Sequence, residues 1–145
     1  MRHRQAGKKL NRDRDHRQAL FKNLIKSLIK HEEIKTTESK AKVVRKIFEK
    51  LVTKTKTGTL HVRRLAHAFL QDKGSVNKLV DKIAPLFKQR EGGYTRIIRL
   101  GKRRGDRAML VRLELVSKPE KEPAKKSKEK KRKQPKKAEV EPKKK

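Results

Sequence analysis

Apolar side chains in this 145-residue chain recur first at helical spacing, then at strand spacing, and then almost vanish. Beyond Asp13, the residues Leu20, Phe21, Leu24, Ile25, Leu28 and Ile29 follow one another at intervals of one, three and four, which lines them along one stripe of a helix. Asp13 stands where an N-cap belongs. The β-branched run at 34–37 predicts a strand too short to stand alone. After Thr37 a second helical period sets Ala41, Val44, Ile47, Phe48, Leu51 and Val52 on one side. Lys42, Arg45, Lys46, Glu49 and Lys50 fall largely on the other, and Gly58 stops the run. Residues 60–70 predict a third helix with Val62, Leu65, Ala66 and Phe69 inward and Arg63 and Arg64 nearer solvent. Gly74 and Ser75 open a fourth, carrying Val76, Leu79, Val80 and Ile83, and Pro85 marks its end.

After Gly92 and Gly93 the period shortens toward two. Residues 94–100 and 108–116 are strand-like, and the polar connection GKRRGDR at 101–107 makes them a hairpin. Met109, Val111, Leu113 and Leu115 share one face of the second strand, with Arg112 and Glu114 opposite. In the first strand Ile97 and Ile98 are both apolar, so its register stays open. The predicted class is α+β in two layers: about four helices on one face of a small mixed sheet, in the order α-β-α-α-α-β-β. No internal repeat is visible.

Composition divides the chain further. Residues 117–145 hold 14 Lys and Arg, five Glu, four of the five prolines and almost no large apolar side chain. Such a segment cannot offset the roughly 1–2 kcal/mol per residue that backbone ordering costs, so a disordered basic tail is expected. Residues 1–12 carry Arg2, Arg4, Lys8, Lys9 and Arg12 without an acid and show no period, as a basic arm would. One globular domain, 13–116, lies between arm and tail.

Charge then supplies the partner. Forty-six Lys and Arg against 16 Asp and Glu give a formal charge of +30, well beyond what solubility needs and in the range of an electrostatic footprint on phosphate. A nucleic acid is the expected partner. Tyr94 is the only tyrosine, tryptophan is absent, and Phe21, Phe48, Phe69 and Phe87 sit on apolar stripes. Recognition should therefore rest on backbone and shape rather than on base stacking. The absence of cysteine excludes disulfides and thiolate chemistry and fits a reducing cytoplasm. No run approaches the roughly 18–20 apolar residues of a membrane span, so neither export nor a membrane partner is expected. His61 and His67 are six apart, Glu32 and Glu33 diverge, and no phosphate loop is present. No enzyme activity, cofactor, metal or small-molecule substrate is expected.

Seven short words carry a resemblance: MRHR at the start, KKLNR at 8–12, His16-Arg17, Asn23-Leu24, IKTT at 34–37, GGYTR at 92–96 and RRGD at 103–106. Taken in order and at these separations, they resemble the family of bacterial large-subunit ribosomal protein seventeen, from residue 1 to about 116. The resemblance implies a helices-on-a-sheet fold and a structural component of the large subunit. Its implied partners are the large-subunit (23S-type) ribosomal RNA and neighbouring large-subunit proteins, and it implies no catalysis. The chain departs from the family at Asp13-Arg14-Asp15, where small hydroxyl residues are usual, and its tail lies outside the shared core.

Candidate RNA-binding residues follow from the cationic clusters. The arm offers Arg2, His3, Arg4, Lys8, Lys9 and Arg12, with arginine forks suited to paired phosphate oxygens. The start of the first helix adds Arg14, His16 and Arg17, where Asp13 and Asp15 offer an intramolecular alternative for His16 and Arg17. The third helix contributes Arg63 and Arg64. The hairpin supplies Arg96 and Arg99 on a strand and Lys102, Arg103, Arg104 and Arg107 at its tip, with Gly105 serving the turn. The competing readings are a nucleoid-associated or chromatin-like DNA binder and a transient ribosome assembly factor.

Overall fold

The computed structural model describes residues 8–118. The expectations for Arg2, His3 and Arg4, and for the tail past residue 118, lie outside the described residues.

Helix α1, Arg14–His31, buries Phe21, Ile25, Leu28 and Ile29, four positions of the single stripe that the spacing predicts. Asp13 occupies the N-cap with an extended backbone, but its carboxylate takes no backbone N–H. The cap expected from its side chain is thus not made. At the other end Glu32 turns left-handed at φ 67° and donates its N–H to the Leu28 carbonyl at 2.7 Å, which closes the helix and feeds strand β1, Glu33–Thr37. Helix α2, Glu38–Thr55, follows without a loop and buries Ala41, Val44, Phe48, Val52 and Thr55. The Thr55 hydroxyl is satisfied by the Val52 carbonyl at 2.9 Å. Helix α3, Leu60–Leu70, starts where Thr59 accepts the Val62 N–H.

The inward face of α3 differs from the expected one. Ala66 and Leu70 are buried, Val62 and Phe69 are half-buried, and Leu65 is exposed. The helix buries the narrow Ala66–Leu70 edge of its apolar arc and leaves the Leu65 edge outside, a choice of rotation that spacing alone does not fix. Phe69 is accordingly not in the core, unlike Phe21, Phe48 and Phe87.

Helix α4, Lys73–Asn77, begins one residue before Gly74, capped by the Asp72 carboxylate on the Ser75 N–H at 3.0 Å. It widens into π-helical turns over Lys78–Ile83 and tightens into a 3-10 turn over Ala84–Phe87. Pro85 sits in that last turn, and its missing N–H and bulky ring prevent a regular α-helical continuation.

Strands β2, Thr95–Lys102, and β3, Met109–Leu115, form the hairpin. The sheet order is β1-β3-β2 and every pairing is antiparallel. The α+β class and element order are as expected, while the mixed sheet is corrected to an antiparallel one. β1 and β2 run in the same direction, but β3 lies between them and pairs against both. Register is settled by Ile97 opposite Leu113 and Ile98 opposite Arg112. Ile97 therefore packs against the core and Ile98 lies on the outer face, with a bulge between Arg99 and Gly101. Val111, Leu113 and Leu115 are buried, and helix α2 packs across all three strands while α1 contacts β1.

Tyr94 is fully buried beside the Phe87 ring, with centroids 5.1 Å apart. Its hydroxyl lies 3.2 Å from Thr53 Oγ1 and donates to the Glu91 carbonyl at 3.0 Å. The Lys56 ammonium stands 4.9 Å over the ring and donates to the Arg90 carbonyl. The sole tyrosine thus fastens the loop before β2 to α2.

A buried carboxylate ties the end of α1 to the π-helical turns. The Glu32 carboxylate, with only 8% of its side chain exposed, accepts from Lys78 Nζ at 2.8 Å. Lys78→Met should lower unfolding free energy by about 2 kcal/mol, because the carboxylate loses its cation without regaining water. Urea denaturation measures this, and an unchanged midpoint would show that the pair is not structural.

Candidate nucleic-acid interface

The described part of the arm is anchored by one apolar side chain. Leu10 packs against the core, and Leu10 and Asn11 both take φ near 53°, a left-handed turn that reverses the chain just before α1. Arg12 holds this turn by donating from Nη1 to the Leu10 carbonyl at 3.0 Å. Around the turn, Lys9, Arg12, Arg14, His16 and Arg17 line a polar concavity of about 590 Å³ together with Asn11 and Asp13. No ion pair among the described residues joins Asp13 or Asp15 to His16 or Arg17, so the intramolecular alternative for these two side chains is not what the structure displays.

Lys8 continues the path across α2. It shares a second groove, about 500 Å³, with Lys42, Val43, Arg45, Lys46, Glu49 and Ile97, so the arm reaches over α2 to the edge of β2. Two carboxylates temper this groove. Glu49 takes Arg45 Nε at 3.0 Å. Glu38, at the start of α2, holds Lys42 at 2.7 Å and Arg99 at 3.4 Å, and the Lys42 hydrogen bond keeps its carboxyl below the usual range. Through Arg99 the cationic path passes to the hairpin.

At the tip, Lys102, Arg103, Arg104 and Arg107 are all exposed, but they are not equivalent. Arg103 is held by Asp106, from Nε at 3.0 Å and from Nη2 to the other oxygen. Asp106 also accepts the Ala108 N–H at 3.2 Å. The three-residue word RGD therefore serves the turn, with Gly105 at φ 93°, a conformation that suits glycine. Lys102, Arg104 and Arg107 have no side-chain partner among the described residues. The Arg103 hydrogen bond, aided by the Ala108 N–H, lowers the Asp106 pKa to about 2. A depressed carboxylate contributes above its unfolded value and is lost as pH falls through its folded one. The Arg103 contact should thus be intact at neutral pH and down to about pH 4, and should break as pH drops through about 2. Carboxyl NMR titration checks this, and a midpoint near 4 would contradict it.

Two other candidates are also internally engaged. Arg63 donates to Asp81, whose carboxyl is held low by that bond, and Arg96 forks onto one oxygen of buried Glu114 at 3.0 and 2.6 Å. Arg64 stays exposed and faces a cleft of about 340 Å³ with His67, Lys73 and Asn77. Two further cations, Lys35 and Arg112, carry no sequence signal that groups them with this surface. They pair across β1 and β3 on the outer sheet face, with Ile98 beside Arg112 on β2. Alternation along β3 placed Arg112 opposite the core face, yet only strand order brings Lys35 next to it. Among the described residues no three His, Asp or Glu side chains come together as a metal site.

The family model described as Ribosomal protein L17 matches residues 20–116. Three relatives carry the name large ribosomal subunit protein bL17. That of Geobacter metallireducens is 48% identical over 128 residues, covering 88% of this chain and 72% of the relative. That of Pelobacter propionicus is 49% identical over 116 residues, 80% of this chain and 91% of the relative. That of Trichlorobacter lovleyi is 50% identical over 116 residues, 80% and 94%. With the family model matching residues 20–116 and that identity spanning most of its length, the chain belongs to the ribosomal protein L17 family.

Proposed function

We propose that the chain is a structural constituent of the large ribosomal subunit, where it binds and stabilises the large-subunit RNA in support of translation in the cytoplasm. The observation that carries this reading is a path of cations crossed by the carboxylates Glu38 and Glu49. It runs from the start of α1 through Lys9 and Lys8, across Lys42 and Lys46 on α2, to Arg99 and the hairpin tip. Such a path follows a phosphate backbone, whereas a catalytic centre would gather groups at one point. The role is counter-charge combined with fit: a rigid domain brings cations between phosphates that otherwise repel. Neighbouring large-subunit proteins are the second class of partner, and no reaction is assigned.

The proposed contacts are Lys8, Lys9, Arg12, Arg14, His16, Arg17, Arg64, Lys102, Arg104 and Arg107, with Arg2, His3 and Arg4 extending the arm. Arg63, Arg96, Arg99 and Arg103 serve first as internal ion-pair partners that set the shape of the surface. Domain 13–116 is the docking body, residues 1–12 the arm, and residues 117–145 a basic extension dispensable for folding. Sedimentation of tagged chain with salt-washed large subunits, at one copy per particle in translating ribosomes, is the expected result. Substoichiometric occupancy restricted to immature particles would instead indicate an assembly factor.

A further inference from the structure

Between α2 and α3 the surface opens into a groove of about 230 Å³ lined by Ile47, Leu51, Val62, Leu65, Ala66 and Phe69. The spacing i, i+4 on α2 and i, i+3, i+4, i+7 on α3 produces it, so each helix turns part of its apolar arc outward beside the part it buries. Leu65 is 46% exposed and Leu60, at the start of α3, 64%. Apolar side chains grouped around a cleft on so charged a surface mark a contact rather than a solvated face.

The lining decides the class of occupant. A nucleobase carries donors and acceptors around its edge, and aliphatic walls would leave them unpaired, a cost that burial makes severe. Phosphate fares worse for the same reason. An apolar protein side chain meets no such cost. The rim adds a sign: Lys50 and Lys54 border the groove, and neither ammonium has a partner among the described residues. Carboxylates on either side of an apolar anchor would complete them.

We propose that this groove docks a segment of a neighbouring large-subunit protein that presents a large apolar side chain flanked by Asp or Glu. The inference rests on the chain's residence in the large subunit. Glu139-Val140-Glu141 of this chain has the same pattern, but one tethered valine is too small a contact to hold the site. A second copy would set one lysine rim against another.

A photoreactive phenylalanine analogue at the exposed Leu65 position, in chain assembled into purified large subunits, tests the proposal. Irradiation should join it to another large-subunit protein, at a peptide carrying a large apolar residue within about two positions of a carboxylate. The double variant Lys50→Glu, Lys54→Glu should lower that yield by about tenfold while the chain stays incorporated. An adduct to RNA, to residues 117–145, to a second copy, or no adduct at all overturns the proposal. If the chain is missing from the subunits before irradiation, the residence itself fails and this inference falls with it.

Discussion

Alanine at Lys8, Lys9, Arg14 and Arg17 together is expected to lower affinity for protein-free large-subunit RNA by roughly 10²–10³-fold near 0.15 M salt. These four side chains line the first two stretches of the cationic path and have no internal partner among the described residues. Each phosphate contact removed should reduce the slope of log affinity against log salt by about one, so the variant should be shallower by about four. Arg12 is left in place because it holds the turn at Leu10, and the melting temperature should stay within a few degrees of the parent. The contrasting triple variant Arg63→Ala, Arg96→Ala, Arg103→Ala removes nearly as much charge. Its guanidinium groups already face Asp81, Glu114 and Asp106, so its RNA affinity should drop by less than about tenfold. Filter binding across a salt series measures both. Equal losses in the two variants would mean that net charge alone, and not its placement, governs binding.

Phe48→Ala should cost about 3–5 kcal/mol, a large share of the roughly 5–15 kcal/mol that is the usual order of a domain's total stability. Phe48 has no solvent exposure and belongs to the hydrophobic core, to which β3 and every helix contribute buried side chains. The core around a truncated ring relaxes only partly, so the loss includes the cavity left behind as well as the transfer of the removed atoms. Chemical denaturation of the variant checks the size of the loss. A change under about 1 kcal/mol would mean that the core collapses around the gap far more easily than such sites do.

The two layers were legible because the strongest signals were local. The stripes on α1 and α2, the hairpin between Gly93 and Val116 and the shared face of Met109, Val111, Leu113 and Leu115 all depend on spacing within one element. What spacing does not encode was misplaced or open. The rotation of α3, which leaves Leu65 out and draws Leu70 in, is decided by the partner helix. The sheet came out antiparallel rather than mixed because β3 separates β1 from β2, a long-range fact. The binding surface was legible as a set of cations but not as a path. Charge counting cannot distinguish Arg104, with no internal partner, from Arg103, which Asp106 holds three residues away. Nor does it foresee that β1 brings Lys35 beside Arg112.

The asymmetry between engaged and unengaged cations gives the molecule its logic. Acidic side chains are few in the folded part, and several serve to fix particular arginines and lysines: Glu38, Asp81, Asp106 and Glu114. The remaining cations are left facing outward along a rigid frame, where docking onto a polyanion loses little conformational freedom. The exposed pairs among these, those of Asp81 and Asp106, add little to stability, so their value lies in shape and in fixing which cations stay unpaired.

The most direct test is the salt dependence of binding between the full chain and protein-free large-subunit RNA. If the path neutralises about 6–10 phosphates, affinity should fall by some 10³–10⁵ between 50 and 200 mM monovalent salt, on a straight line in log-log form. A nearly flat line over that range would contradict the account, because it would mean that the cations displace no counterions and that contacts of another kind hold the chain on the RNA.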